Sequence, residues 1–275
     1  MKYEIDNKEM QDKEVSGWWN DDRTKKWHNF TYEKDNPLSH HLILRQKKVL
    51  DYLKLLNLPK GSKVLELGGG AGQTAQKICE LGFDTTGIDI SKHLCEESEK
   101  KCEKFVNEGT ARFINQSMEK KFPINDNEFD VCVIVGSIQY VGNLNYCFNE
   151  INRVLKDNGN IILCQANMYP ILDLIKPRHM ILKLAYFFLN EEFLISPSFK
   201  SILCESRLGK YFKKYEDSAF MNLSFMTKGT EKLDYKIKKR LYSYNRLKKL
   251  LIKFNFNIIK KTGATFFFQR KIFFF

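Results

Sequence analysis

The segment that decides the fold of this chain reads Val64-Leu65-Glu66-Leu67-Gly68-Gly69-Gly70-Ala71-Gly72-Gln73. Its first four residues have the apolar character of a buried strand that ends beside an acidic side chain. The glycines that follow permit positive φ and let a ligand approach bare backbone. A helix that begins near Ala71 leaves free N–H groups directed at that ligand. The sequence therefore predicts a strand, a ligand-binding turn and a helix.

The spacing of the glycines distinguishes two classes of nucleoside-binding site. A dinucleotide fingerprint places its third glycine three residues after its second. Here Gly68, Gly70 and Gly72 are two residues apart, and Gln73 occupies the position of that third glycine. This spacing disfavours a nicotinamide oxidoreductase. The pattern from Glu66 to Gly72 instead resembles the first motif of the class I S-adenosylmethionine-dependent methyltransferases.

Three further segments follow in the order of that family. Residues 85–91 form a second strand ending at Asp89, whose carboxylate can accept hydrogen bonds from both hydroxyls of a ribose. A second interpretation is that Asp89 or Ser91 caps the next helix, and the two roles are compatible. Residues 129–137 are a continuous apolar run, typical of a central parallel strand. Residues 150–159 resemble the Arg-Val-Leu-Lys-x-x-Gly helix ending of many small-molecule methyltransferases.

The order of strands and helices predicts an α/β fold. Strands and helices alternate up to residue 165, which requires a parallel sheet with helices on both faces. The family resemblance implies a Rossmann-like, seven-stranded sheet whose last strand is antiparallel. The alternation stops at Ala166, where we predict a mainly helical cap inserted after the fifth strand. The predicted helices are 38–56, 71–81, 92–107, 144–155 and one ending near 254; the predicted strands are 63–67, 84–88, 111–114, 131–135, 160–165, 257–261 and 265–272.

We expect four parts along the chain. Residues 1–38 form an N-terminal lid or acceptor segment, and residues 39–167 form the Rossmann-like core that binds S-adenosylmethionine. Residues 168–240 form the helical cap or acceptor region, and residues 241–275 supply a helix and hairpin that complete the sheet. The aromatic cluster at 18–32 is interpreted as a lid over the donor or a stacking wall for the acceptor. Simple packing of the N-terminal segment on the core is the other interpretation.

The net charge of +12 is unevenly distributed along the chain. Residues 1–166 sum to −2, whereas residues 167–275 sum to +14. One interpretation is an electropositive acceptor side that attracts phosphate, carboxylate, nucleic acid or an anionic membrane surface. The other is compositional, since Lys outnumbers Arg 36 to nine, and such lysines often form a solvated helix face. Both interpretations stay open.

The composition also bears on compartment and metal content. Seven cysteines include no Cys-x-x-Cys pair, which predicts buried free thiols in a reducing compartment. The charged first 20 residues predict no signal peptide, and the apolar stretch 180–189 is too short to span a membrane. We therefore expect a cytoplasmic protein without a transmembrane segment, for which peripheral membrane contact is compatible. Five scattered histidines lack metal-ligand spacing, so no metal is expected.

The family resemblance implies a site for S-adenosylmethionine, with S-adenosylhomocysteine as the product. The segment after the third strand lacks the aspartate that the family usually has near the adenine amino group. The predicted donor-binding residues are Glu66, Gly68, Gly69, Gly70 and Gly72 around the methionine part, Asp89 on the ribose, Ile90, Ser117 and Met118 at the adenine, and Val135 facing the methionine part.

Methyl transfer from a sulfonium is an in-line displacement, so positioning and desolvation can supply much of the rate. A base is needed only if the acceptor must first lose a proton. Tyr140 lies near the expected position of the reactive methyl and could orient or deprotonate an acceptor, or form a wall of the pocket. His40 and His41 are alternative bases because histidine titrates near neutral pH. Surface or capping roles are the other interpretation for both histidines.

These observations predict a methyltransferase that acts on a small or carrier-linked molecule, of amphiphilic or anionic character. Enzymes that methylate amino groups of nucleic-acid bases usually carry Asn/Asp-Pro-Pro-aromatic after the fourth strand. This chain has Gly136-Ser137-Ile138-Gln139 there, which disfavours a nucleic-acid partner. Two alternatives are kept: an RNA methyltransferase that uses the basic C-terminal part, and a non-catalytic binding protein with the same fold.

Overall fold

Five parallel strands form the central sheet of the molecule. The computed structural model describes residues 8–21, 37–165, 244–258, 262–263 and 273–274. The strands are β1 Lys63–Leu67, β2 Asp84–Asp89, β3 Ala111–Asn115, β4 Phe129–Val135 and β5 Leu155–Cys164. Their spatial order is β3-β2-β1-β4-β5. This order confirms the predicted α/β, Rossmann-like arrangement.

Seven helices accompany these strands in the described part of the chain. They are α1 Lys8–Asn20, α2 Pro37–Leu55, α3 Gln73–Glu80, α4 Lys92–Lys101, α5 Glu103–Asn107, α6 Leu144–Val154 and α7 Tyr244–Lys253, with a 3-10 turn at Ile138–Tyr140. The helix predicted at 92–107 is in fact two, because Cys102 leaves the helical conformation with φ −102 and ψ 18. Helix α3 begins two residues later than predicted, since Gly72 precedes it in the left-handed region.

The sheet has a topological switch point between β1 and β4. Strand β1 pairs in parallel with β2 on one side and with β4 on the other. The chain adds β2 and β3 on the first side of β1, and then adds β4 and β5 on the opposite side. In open α/β sheets, ligands bind in the crevice at the carboxyl ends of the strands, where this reversal occurs. The segment 64–73 therefore leads directly into the expected crevice.

Alternating side chains of the central strands bury both faces of the sheet. Leu65 and Leu67 belong to the cluster that includes Phe148 of α6, whereas Val64 belongs to the cluster that includes Val49 of α2. All five side chains are fully buried. Burial of each such side chain contributes roughly 1.5–3 kcal/mol, so the floor of the crevice is firmly held.

Several predictions fall on residues that the structure does not describe. The cap at 168–240 lies outside the described ranges, and so does most of the C-terminal hairpin. The described fragments there, β6 Thr262–Gly263 and β7 Phe273–Phe274, pair in parallel as a separate small sheet. The seven-stranded sheet, its antiparallel last strand and the four-part division therefore stay predictions.

Two compositional points can be compared with the described residues. Six of the seven cysteines lie in these ranges, and all six are buried, as predicted. Within the same ranges, no helix has the length and apolar character that crossing a membrane requires.

Candidate functional site

The turn after β1 depends on glycine at three positions. Gly68, Gly70 and Gly72 have φ of 67°, 62° and 76°, in the left-handed region that other residues adopt only at a cost. The N–H of Gly68 donates to the carbonyl of Ile88 at 2.7 Å, which fixes the turn against β2. A Cβ atom at Gly68 would lie 2.2 Å from Cβ of Ser137. Only bare backbone therefore fits between the loops that follow β1 and β4.

Ser137 connects these two loops. Its buried hydroxyl donates to the carbonyl of Leu67 at 2.7 Å, at the last residue of β1. The methyl carbon of Met118 lies 3.6 Å from the position that a Cβ at Gly68 would take. Met118 thus lies beside the glycine turn. Val135, predicted to face the donor, is partly buried at the last residue of β4.

Glu66 lies beneath the turn. Its side chain is 1% exposed, and its Oε2 atom has no hydrogen-bond partner among the described residues. A Cβ at Gly69 would lie 2.6 Å from that oxygen, so the carboxyl is packed against the turn. Burial raises the pKa of Glu66 to about 8, and the nearby Asp89 carboxylate adds to this rise, while the backbone N–H of Ala75 opposes it. Glu66 is therefore mostly protonated at neutral pH.

Asp89 fastens the end of β2 to the same turn. Its Oδ2 atom accepts the N–H of Gly70 at 3.0 Å, and its Oδ1 atom accepts the N–H of Ser91 at 2.9 Å. Burial raises the pKa of Asp89 to about 6, against the opposing effect of these backbone donors. The N–H of Ile90 also stabilises this carboxylate, which still has capacity to accept a hydrogen bond from a ligand.

Ser91 caps α4, as one of the sequence interpretations predicted. Its hydroxyl oxygen accepts the N–H of Leu94 at 3.2 Å, and the hydroxyl lies 2.9 Å from Oδ1 of Asn20 in α1. The N–H of His93 also donates to this Asn20 oxygen, at 3.3 Å. The last residue of α1 therefore takes part in capping α4. The partly exposed Ile90 lies beside this cap and accepts a hydrogen bond from the amide of Asn115 through its carbonyl, at 2.9 Å.

Helix α1 lies along the carboxyl ends of the strands. The ring of Trp19 packs edge-on against the ring of Tyr140, with centroids 6.1 Å apart. Asp12 accepts a hydrogen bond from the hydroxyl of Ser117, and burial raises the pKa of this carboxyl. These contacts show that residues 18–21 of the aromatic cluster pack on the core, which agrees with both the packing and the lid interpretation; residues 22–32 lie outside the described ranges.

Glu119 is a site residue that sequence reasoning missed. It follows the predicted Ser117 and Met118, and its carboxylate accepts the backbone N–H groups of Gly142 and Asn143. This bridge ties the loop after β3 to the loop after β4. The only available signal was an acidic residue next to the segment in which the family usually has one.

Tyr140 ends the 3-10 turn beyond β4, close to the carboxyl edge of the sheet. Burial raises the pKa of Tyr140 to about 12, although a hydrogen bond from the Gln139 side chain and the charge of Arg45 lower it. Its hydroxyl is therefore protonated at neutral pH and suited to donating a hydrogen bond. The other candidate bases, His40 and His41, belong to α2 by their backbone, but their side chains are not among those described.

Arg45 is the second site residue that the sequence did not identify. Its Nε donates to the Sγ of Cys164 at 3.3 Å, and a Cβ at Gly136 would lie 2.4 Å from its Nη2. No Asp or Glu in the described ranges forms an ion pair with this guanidinium. The partly buried, positively charged side chain of Arg45 on α2 therefore lies beside the loop after β4.

The side chains that commonly bind metals are scattered in this fold. In the described part of the chain, no three His, Cys, Asp or Glu side chains are arranged to hold a metal ion.

Comparison with known proteins finds similarity to methyltransferases. Residues 65–163 match a family described as methyltransferase domain. The demethylmenaquinone methyltransferase of Tropheryma whipplei (strain Twist) is 30% identical over 112 residues, which cover 41% of this chain and 45% of that enzyme. The ubiquinone biosynthesis O-methyltransferase of Pelagibacter ubique (strain HTCC1062) is 26% identical over 171 residues, which cover 59% of this chain and 66% of that enzyme. The chain thus spans less than two thirds of the length of each relative.

A solved structure also aligns with the chain. A protein from Pyrococcus horikoshii OT3 is 24% identical and superimposes with a TM-score of 0.43, covering 57% of this chain and 66% of that one.

Proposed function

We propose that the chain is a class I S-adenosylmethionine-dependent methyltransferase that transfers a methyl group to a small or carrier-linked molecule, and the match of residues 65–163 to a methyltransferase domain supports this. The observation that carries this proposal is the turn at 68–72. Three glycines in this turn have left-handed φ, and the N–H of one of them, Gly70, donates to the Asp89 carboxylate. The turn therefore exposes backbone without side chains at the switch point of the sheet. A nucleoside ligand requires such a surface.

The residues present fit S-adenosylmethionine. Asp89 is held in place by backbone N–H groups, including those of Gly70 and Ser91, and its carboxylate can still accept a hydrogen bond from a ribose hydroxyl. Its pKa of about 6 leaves the carboxylate ionised at neutral pH. Ile90, Ser117 and Met118 lie beyond it, where the adenine would bind. When bound, S-adenosylmethionine supplies an activated methyl group, so the protein need only position the reactants.

Arg45 completes this donor site. The methionine part of the donor carries a carboxylate, and a buried carboxylate requires a cationic or N–H partner. The Arg45 guanidinium lies against Gly136 without an ion-pair partner in the described ranges. We assign the carboxylate of the donor to Arg45.

Tyr140 orients the acceptor by donating a hydrogen bond, since its hydroxyl keeps its proton up to a pKa of about 12. His41 and His40 stay candidates for a base, if the acceptor must lose a proton. The acceptor contacts are assigned to residues 1–38 and 168–240, whose basic part suits an anionic or amphiphilic molecule. A cytoplasmic location belongs to the same proposal. The two relatives, a demethylmenaquinone methyltransferase and a ubiquinone biosynthesis O-methyltransferase, support a small-molecule acceptor by their names.

Two measurements test the proposal. Calorimetric titration with S-adenosylhomocysteine should give saturable heat with the wild type, and the heat should weaken in Asp89→Asn. Incubation with methyl-labelled S-adenosylmethionine and cell extract should label a small-molecule fraction that survives ribonuclease. Exposed Glu96 on α4 offers the matched control, Glu96→Gln.

The outcomes separate the alternatives. Absence of heat from the donor product overturns the assignment of the site. Label that disappears with ribonuclease favours an RNA methyltransferase. Donor binding without any labelled fraction favours a non-catalytic binding protein.

A further inference from the structure

Two buried glutamine side chains form a hydrogen-bonded pair at the carboxyl edge of the sheet. Gln139 lies in the 3-10 turn after β4, and Gln165 directly follows β5. The Nε2 of Gln165 donates to the Oε1 of Gln139 at 3.1 Å. Gln165 is 1% exposed to solvent and Gln139 is 7% exposed. An amide pair of this kind is therefore held in place away from bulk solvent.

In this structure the hydrogen bond of the pair runs from Gln165 to Gln139. Gln139 uses its amide N–H to donate to the hydroxyl oxygen of Tyr140 and its Oε1 to accept from Gln165. The Oε1 of Gln165 is left buried without a hydrogen-bond partner among the described residues. Buried polar atoms in proteins nearly always have partners, so this orphaned amide oxygen is an acceptor open to a hydrogen-bond donor of a ligand.

Gln165 is distant from the nucleoside end of the donor site. The groups assigned to the ribose and adenine lie after β2 and β3, whereas Arg45, assigned to the donor carboxylate, contacts Cys164 beside Gln165. Gln165 lies at the end of β5, three strands from β2 in the order β2-β1-β4-β5. At about 4.8 Å per strand, this is about 14 Å from the ribose-binding edge. The acceptor, unlike the nucleoside part of the donor, can therefore lie beside Gln165.

We propose, on the basis of the proposed function, that Gln165 is a specificity-determining residue whose Oε1 accepts a hydrogen bond from a neutral hydroxyl of the methyl acceptor. Tyr140 and Arg45 are the ionisable groups that the described contacts bring to this amide chain. A neutral amide does not compensate the charge of an ammonium group buried beside it, and burying an uncompensated charge costs far more than burying a hydrogen-bonded hydroxyl. The site therefore selects an acceptor with an uncharged O–H donor.

The test compares wild type with Gln165→Met and Gln165→Glu. Gln165→Met keeps the length of the side chain but removes its hydrogen bonds. We expect it to lower kcat/KM for the labelled acceptor fraction about tenfold or more, which is the effect of losing a buried hydrogen bond. Its affinity for S-adenosylhomocysteine should stay within about twofold of the wild type. Asn160→Leu, nearer the amino end of the same strand, is the control.

Gln165→Glu gives a readout that a purely structural role would not produce. A buried carboxyl has a raised pKa, and its neutral form can still donate to Gln139 and accept from the acceptor. Ionisation removes the proton needed by Oε1 of Gln139. Activity relative to wild type should therefore be high at acidic pH and fall as pH rises.

The proposal also predicts a property of the acceptor. The mass of the purified acceptor should increase in deuterated solvent, because the acceptor carries an exchangeable hydroxyl hydrogen. At least one such hydrogen should be present besides any hydrogen on the atom that is methylated. Wild-type activity in Gln165→Met, an equal loss of donor affinity, or an acceptor without such a hydrogen overturns the proposal. Failure of the proposed function is distinguishable, since it leaves the wild type itself without donor binding or labelled product.

Discussion

The buried carboxyl of Glu66 allows a quantitative prediction of stability against pH. Burial raises its pKa in the folded protein to about 8, from 4.5 in the absence of structure. Between these values the folded protein holds a proton that the unfolded chain has lost. Because the folded state binds more protons, the free energy of unfolding falls as pH rises through this window. The substitution Glu66→Gln has no such proton, and its amide can still accept the N–H of Ala75.

The expected magnitude follows from the width of the window. Each pH unit changes the free energy of unfolding by about 1.4 kcal/mol, so the full window corresponds to about 5 kcal/mol. We therefore consider the free energy of unfolding of Glu66→Gln minus that of the wild type. This difference should be constant below pH 4.5, increase between pH 4.5 and about 8, and be constant again above about pH 8. Asp89 is present in both proteins, so its own titration contributes to both curves.

Urea unfolding of the ligand-free proteins at several values between about pH 5 and about pH 8 measures this difference. Glu96→Gln, on the exposed face of α4, should leave the slope of the wild-type curve intact. If the wild type and Glu66→Gln keep the same separation at both ends of the range, the buried-proton interpretation of Glu66 is wrong.

Three further predictions concern the donor site and its turn. Affinity for S-adenosylhomocysteine should fall as pH decreases through about 6, because protonation of Asp89 removes a charged acceptor; calorimetry of Asp89→Asn should show a flat profile instead. Gly68→Ala should destabilise the fold by about 3 kcal/mol or more, because its Cβ meets Ser137 as well as requiring positive φ. Gly109→Ala has a similar φ of 73° but open space, so it should cost only about 1–2 kcal/mol, and equal losses in urea unfolding would contradict the packing argument. Arg45→Met should weaken S-adenosylhomocysteine about tenfold or more but leave 5′-methylthioadenosine, which lacks the carboxylate, unaffected in the same titration.

Much of the central fold could be predicted because its signals are local. Strand β1 has the predicted bounds, since a parallel strand buried on both faces has a continuous apolar sequence. The turn at 68–72 has positive φ at three positions, and the presence of glycine at these positions predicts this conformation. The cap at Ser91 follows the same logic, because short hydroxyl side chains are favoured at helix N-termini.

The contacts that sequence reasoning missed are between residues far apart in the chain. Arg45 reaches Cys164 across 119 positions, and no local pattern marks an arginine in an amphipathic helix as a site residue. Gln165 and Glu119 are similar cases, because their roles depend on loops that only the folded sheet brings together. The helix break at Cys102 also lacked a proline or glycine to predict it.

The shared cap between α1 and α4 has a consequence for turnover. Asn20 supplies an oxygen to the hydroxyl of Ser91 and to the N–H of His93, so withdrawing α1 leaves the start of α4 with fewer hydrogen-bond acceptors. Under the proposed function, a nucleoside product that left the site beneath α1 would first have to break these hydrogen bonds. The turnover rate would then depend on how often the contact between α1 and α4 opens. A residue at position 20 that cannot accept these hydrogen bonds would raise the dissociation rate of the product and lower the affinity for the donor.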